Sequence, residues 1–440
     1  MTMRESEARE HLSYVVKAFS HPERLKIMEL LVRGDASFSL IHEHVAVGTT
    51  ALANHLSLLI DKGLVNKRGR GLYGMTSDGR VMHEAIVRGY DSTVMSRRQR
   101  QKRIAARYVR GRTEERPNRI RKLKYRSGWV SHLSAVAGCL KFLGVRVSPG
   151  WLYGGTGHAF IINIVKGVCP SGPTAWQTSM LFKLATNLGY EIKGVRGHKS
   201  ESGFEKKQRE AWDHVRKSID ADIPCYGWEL DIPEYYVIQG YDEVGYWYSG
   251  PGSVEGKGPK PWREVGVSDI GVLELYSVER VTPSDPLSVI RDSFAMVLHH
   301  ATNPPDVIYS NNKTGIPGFD LWIEETEAGT ALSVGMAYNA QVWKECRRFG
   351  VRFLKEIRKR VPKDLRDLVQ ETRGHYEVVS DALSDLAKLY PFPPHSARET
   401  IGVTRESKEA ARLLKQARNA EVKGLDTIRQ IHRELLTSFR

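Results

Sequence analysis

Along residues 21–34 the apolar side chains of Leu25, Ile27, Met28, Leu30 and Leu31 share one broad helical face, and Gly34 stands where a helix C-cap belongs. The pattern predicts a buried scaffold helix. From Phe38 it gives a short helix, a turn at Gly48, and a second helix from about Thr49 whose residues Leu52, Leu56, Leu59 and Ile60 point one way. The opposite face carries Thr50, Ala53, Asn54 and Ser57, short side chains that point outward. After Gly63 the helical period gives way to alternation: residues 64–68 and 72–76 read as two strands, joined by Gly69, Arg70 and Gly71.

Residues 127–149 form an amphipathic pattern with Trp129, Leu133, Val136, Ala137, Leu140 and Leu143 inward and Gly144 as C-cap. A glycine-rich turn running into an apolar strand follows at residues 151–164, and another helix opens within residues 169–176. Residues 222–252 supply three strand-like runs with turns at Asp231-Ile232-Pro233 and at residues 242–245. Beyond Ser284 the pattern is mostly helical, with helices at residues 287–299, 338–360 and 365–389, a loop at 303–318, and prolines at 391–394 ending the bundle. In residues 407–436, Leu414, Ala417, Leu425, Ile428, Ile431 and Leu435 form one stripe, as in a packing or dimerising helix.

Charge changes this picture at one place. The chain has 440 residues and a net charge of +15, and residues 96–126 alone hold fourteen basic against two acidic residues. Such a basic run reads as a phosphate-tracking arm, or else as a solvated helical linker. Cys139, Cys169, Cys225 and Cys346 are widely spaced without a CxxC, so they form no metal signature, and no cofactor is implied. There is no secretory signal at the N-terminus, and no apolar run approaches the roughly 18 residues of a membrane span, so a cytoplasmic location with no membrane partner is expected.

The words SHPERLKIMELL (residues 20–31) and ALANHLSLLIDKGLV (residues 51–65) resemble the ArsR-type winged-helix regulators over residues 8–88. The resemblance implies a homodimeric regulator of double-stranded DNA, with Thr49, Thr50, Asn54 and His55 near the major groove, Ser57 on the same helix, and Arg68 and Arg70 on a wing that grips phosphate or minor groove. Metal-sensing members carry a cysteine pair in the helix before the recognition helix. This chain has only His42 and His44 there, which do not share a helical face. A winged helix used for protein contact is the alternative.

The later region is helix first and sheet later. With GMAYNAQVWKECRRF (residues 335–349) and LSDLAKLYPFPP (residues 383–394), it resembles the papain-like fold of bacteriocin-processing peptidases and the N-terminal family of butirosin biosynthesis protein H, an acyltransferase. The resemblance implies a cysteine at the start of the first helix, a histidine ahead of a strand and an orienting acid. Those positions fall on Ser131, on Glu234 and near Ser249 or Gly250, so the catalytic set is degenerate and no catalytic residue is expected. His132 and Cys139 are the two nearby reactive side chains, and both read more simply as core residues.

What remains is a ligand cleft in which Gly154, Gly155 and Gly157 allow close approach, Trp151, Tyr153 and Trp176 stack, His158 faces inward, and Ser171 and Thr174 offer hydroxyls. Turn glycines, core aromatics and a hydrogen-bonded core histidine are the plainer alternatives.

The expected fold is multidomain: an α+β winged helix-turn-helix (residues 1–95), a basic arm (96–126), an α+β papain-like domain (127–283) with a helical extension (284–394), and a C-terminal helix (395–440). The expected function is a transcriptional regulator whose degenerate papain-like domain senses a small molecule or peptide. An acyl- or amide-transferring enzyme with an autoregulatory winged helix, and an interaction scaffold, are its rivals.

Overall fold

A computed structural model of the protein describes residues 14–45, 47–91, 118–120, 122–174, 179–302, 304, 312–394 and 399–438. The chain divides into two compact units, Met1–Gly111 and Arg112–Arg440. Most of the basic segment 96–126, and Trp176, lie outside the described residues.

In the first unit, helix α1 (Pro22–Val32) begins with a proline at a position that needs no N–H partner, and the His21 imidazole accepts the Glu23 amide at 3.2 Å. It buries Ile27, Met28 and Leu31. Strand β1 (Ala36–Ser37) and helix α2 (Phe38–His44) follow, the Ser37 hydroxyl capping α2 by accepting the Leu40 amide at 3.2 Å. Helix α3 (Thr49–Asp61) buries Leu52, Leu56 and Leu59. Ile60, expected on that face, is exposed.

Strands β2 (Val65–Gly69) and β3 (Leu72–Met75) form the hairpin, and the sheet order is β1-β3-β2. Its turn is tighter than expected: Gly69 pairs with Leu72, leaving Arg70 and Gly71, the latter at φ +70°. Thr76 belongs not to the strand but to the start of helix α4 (Ser77–Asp91), where its hydroxyl accepts the Gly79 amide at 2.9 Å.

The second unit is built on an antiparallel sheet. Its elements run β4 (Asn118–Arg119), α5 (Ser131–Phe142), α6 (Pro149–Gly155), β5 (Asn163–Val165), α7 (Ser179–Ala185), β6 (Tyr190–His198), α8 (Phe204–Asp220), β7 (Cys225–Trp228), β8 (Tyr235–Tyr241), β9 (Gly245–Gly250), β10 (Ser253–Pro261) and β11 (Val272–Arg280). Strand order is β10-β9-β8-β7-β11-β6, with β4 on β8. The C-terminal part adds α9 (Pro286–Ala301), β12 (Asn312–Thr314), α10 (Gly315–Glu327), α11 (Ser333–Ile357), α12 (Arg366–Leu389) and α13 (Arg405–Ser438), and β12 pairs with β5.

Two expectations are corrected. Residues 151–155 are helix α6 rather than a glycine-rich turn, because Pro149 sits at its start, Ser148 Oγ accepts the Trp151 amide at 3.0 Å, and the glycines serve helix packing. A Cβ on Gly154 would lie 2.0 Å from the Phe353 ring. The loop expected through Gly318 instead ends in β12 and the start of α10, whose Pro317 falls in the first turn, where a missing N–H is tolerated.

The stripe Leu414, Ala417, Leu425, Ile428, Ile431 and Leu435 of α13 is buried within its own chain, beside α9, α10 and α12. At its centre Glu421 meets Arg347 of α11 in an ion pair that is fully buried, with Nη2 2.8 Å and Nε 2.9 Å from the two carboxylate oxygens. Arg347 Nη1 also donates to the carbonyls of Ala159 (3.1 Å) and Ile161 (2.8 Å). Replacing Arg347 alone with Met leaves Glu421 buried and unpaired, and urea denaturation is expected to show a loss of about 3–5 kcal/mol. The Arg347→Met/Glu421→Leu double variant is expected to recover much of it, and a double variant no more stable than the single would refute this.

Candidate functional site

The first unit presents one polar helix face beside one basic turn. On α3 the side chains of Thr49, Thr50, Asn54 and Ser57 are exposed while Leu52, Leu56 and Leu59 hold the helix to the core. Arg68 and Arg70 are exposed on the hairpin, with Arg68 Nε 4.0 Å from Asp35. His55 is placed differently from its neighbours. Its ring packs on His21 with centroids 4.5 Å apart, and burial, His21 and Arg24 together lower its pKa. It props α3 against the start of α1 instead of standing free on the polar face. His42 stacks on Phe38, so it does not pair with His44.

The second unit contains a cleft of about 1040 Å3. The ends of β6 and β7 contribute Arg196, His198 and Trp228, and the turn into β8 contributes Ile232, Pro233, Glu234 and Tyr235. Cys169, Ser171 and Thr174 come from the loop after β5, Val334 and Tyr338 from α11, and Phe392 from the segment after α12. The wall is largely apolar and aromatic.

Ser131 and Glu234 meet at this cleft. Ser131 starts α5, and its hydroxyl donates to the Glu234 carboxylate while accepting the Tyr235 amide at 3.1 Å. The other Glu234 oxygen accepts the Tyr338 hydroxyl. Burial pushes the Glu234 carboxyl above its usual range, and the two hydroxyl donors oppose this without cancelling it. The start of α5 is held from another helix: Glu345 of α11 accepts the Trp129 amide at 2.7 Å, the Val130 amide at 3.3 Å and the Tyr153 hydroxyl at 2.7 Å. Spacing along the chain gives no sign of Glu345 or Tyr338, which lie more than a hundred residues from the groups they hold.

The other expected ligand residues are scattered. Among the described residues of that set, Ser171 and Thr174 line the cleft, the Ser171 hydroxyl 3.2 Å from Cys169 Sγ. Trp151 faces a separate cavity, where Arg360 lies 3.9 Å above its ring, and Tyr153 is buried against Glu345. Gly155 packs on Leu188, whose Cδ2 would be 2.5 Å from a Cβ there. Tyr153 and Gly155 are buried and half-buried Trp151 lines the other cavity, so none of them lines the cleft.

His158 is a core residue, its Nδ1 3.1 Å from the Thr156 hydroxyl and its ring stacked on His132. His132 turns away from Ser131 to Tyr226, with Nε2 3.0 Å from the phenol oxygen. Burial pushes its pKa down to about 3 and that of His158 well below the usual value. Cys139 is buried, and desolvation raises its thiol pKa. Neither His132 nor Cys139 faces the cleft.

The first unit has the scaffold helix, exposed second helix and hairpin of a winged helix-turn-helix module. Residues 21–67 match the family model described as bacterial regulatory protein, arsR family. This segment is similar to the helix-turn-helix of that family. Two solved structures are similar to part of the chain. NolR from Sinorhizobium fredii is 24% identical over 21% of this chain and 91% of that chain, with a TM-score of 0.19. The transcriptional repressor BigR from Xylella fastidiosa is 25% identical over 21% and 95%, with a TM-score of 0.18. None of the curated proteins compared with the chain matches it.

The buried histidines give a signed pH dependence. His132, His158 and His300 all have lowered pKa values in the folded chain, with burial as the leading cause. The unfolded chain therefore binds more protons, so the stability they contribute is present above about pH 6.5 and is lost as pH falls below it. Each neutral histidine adds a slope of up to about 1.4 kcal/mol per pH unit. Urea midpoints between pH 7.5 and 5 are expected to fall less steeply in His132→Gln than in the parent. An equal slope would show that His132 is not held neutral.

Proposed function

We propose that this chain is a one-component transcriptional regulator. Its winged helix binds double-stranded DNA as a homodimer, and its second unit, a papain-like domain with degenerate catalytic positions, takes a small-molecule or peptide effector. The observation that carries the DNA half is the polar face of α3: Thr49, Thr50, Asn54 and Ser57 stand exposed beside the Arg70 turn, while the apolar side of the same helix is buried. That combination suits major-groove readout with the wing on the backbone. The arsR-family match over residues 21–67 supports the same reading. The effector half rests on the aromatic cleft, whose volume suits a drug-sized ligand.

The second reading, an acyl- or amide-transferring enzyme, is favoured by Ser131 sitting at a helix start in contact with Glu234. Chemistry argues against it. Among the described residues the Ser131 hydroxyl has no imidazole to take its proton, and a carboxylate held by two hydroxyls is a weak base for an alcohol. Fluorophosphonate and iodoacetamide probes are expected to label the native protein slowly. Rapid stoichiometric labelling of Ser131 or Cys169 would favour the enzyme.

Gel shifts test the DNA half. The Arg68→Ala/Arg70→Ala variant is expected to weaken binding to all duplexes and to lower the salt slope by about one for each phosphate that is no longer neutralised. Asn54→Ala is expected to cost about 1–3 kcal/mol of discrimination at one base position. Unchanged binding in both variants would remove the DNA reading.

A further inference from the structure

The charged groups of the large cleft are unequally provided for. Glu274 accepts the Tyr235 hydroxyl and lies 3.3 Å from Arg196 Nε, and Glu201 pairs with Lys207 at 2.5 Å. His198 is engaged through both ring nitrogens, by the Ser200 hydroxyl at 2.7 Å and the Ile270 carbonyl at 3.1 Å. Glu234 differs: among the described residues it has two hydroxyl partners and no cation.

Its hydrogen bonds come from two hydroxyl groups and leave it without an ion-pair partner among the described residues. The Ser131 oxygen already accepts the Tyr235 amide, so its single proton goes to Glu234, and the Tyr338 phenol donates to the other oxygen. Both carboxylate oxygens are thus acceptors, and among the described residues the half-buried carboxylate has no counter-ion.

The surroundings select the kind of cation. Trp228, Tyr235, Tyr338 and Phe392 supply aromatic walls, with the Trp228 and Tyr235 rings 5.0 Å apart and the Tyr338 and Phe392 rings 6.1 Å apart. Aromatic faces attract organic ammonium groups. A bare divalent ion needs six or more oxygen ligands, whereas one carboxylate and two hydroxyls are offered here, and a cleft of about 1040 Å3 far exceeds such an ion.

Resting on the reading of this cleft as an effector site, we propose that the ligand is an amphipathic organic cation, an amine or quaternary ammonium on an apolar body, with its charge on Glu234 and its body among the aromatic side chains. The ligand would supply the counter-ion that the protein omits. A neutral ligand would leave the carboxylate without a counter-ion, and an anionic one would oppose it.

A matched series on one scaffold tests this by calorimetry with the full chain: 4-phenylbutylamine, 4-phenylbutanol and 4-phenylbutyrate. The amine is expected to bind tighter than the alcohol by on the order of tenfold, with the carboxylate weakest. Glu234→Gln, whose folding is checked by its melting temperature, is expected to bring amine and alcohol to similar affinity while changing the alcohol little. An alcohol that binds as well as the amine, or an amine preference that survives Glu234→Gln, overturns the cation and leaves the effector site standing. Failure of all three to bind removes the cation and the effector site together.

Discussion

The buried pair of Arg347 and Glu421 fixes the helix on which the second unit is organised. Its two charges are wholly removed from water, so they are tolerable only because the guanidinium meets both carboxylate oxygens and spends a further donor on the carbonyls of Ala159 and Ile161. That geometry locks α11 to α13 and to the segment before β5. The cleft then follows from α11: Tyr338 reaches Glu234, the Asn339 side chain holds the carbonyl of Cys169 at 3.4 Å, and Glu345 fixes the amides just ahead of Ser131. A helix that slid by one turn would break all three interactions at once.

The two units use polar groups in opposite ways. In the winged helix the polar side chains of α3 are left outside, where a charged, hydrated partner can meet them. In the second unit they are drawn inward, and each satisfied bond removes a degree of freedom from the cleft wall. Among the described residues, Glu234 leaves this second strategy incomplete, since its carboxyl group has hydrogen bonds but no counter-ion. An effector that binds the DNA-competent and DNA-incompetent states differently would couple the two units, because equal affinity for both shifts nothing.

How far the sequence reaches depends on how local each interaction is. The exposed face of α3 and the hairpin are set by spacing within a few residues and are legible from it. Strand β1 has only two residues and leaves no pattern, and His55 looks as free as Asn54 until His21 is brought against it. In the second unit the expectation of a papain-like domain singles out Ser131 and Glu234, which do meet, yet Tyr338 and Glu345, which hold them, are invisible to any local pattern. The glycines at 154 and 155 mislead for a physical reason: the same absence of a side chain that frees a turn also lets Phe353 and Leu188 pack against a helix. Tyr153 and His158 follow those glycines into the packed interior, and Trp151 turns to a separate cavity.

The most direct measurement is selection from a randomised duplex library by the full-length chain, with the bound DNA sequenced after each round. Enrichment of one motif made of two inverted half-sites about one helical turn apart is the predicted result, because it requires both base readout by α3 and a two-fold dimer. A pool that stays random through successive rounds while the protein remains folded would contradict the account.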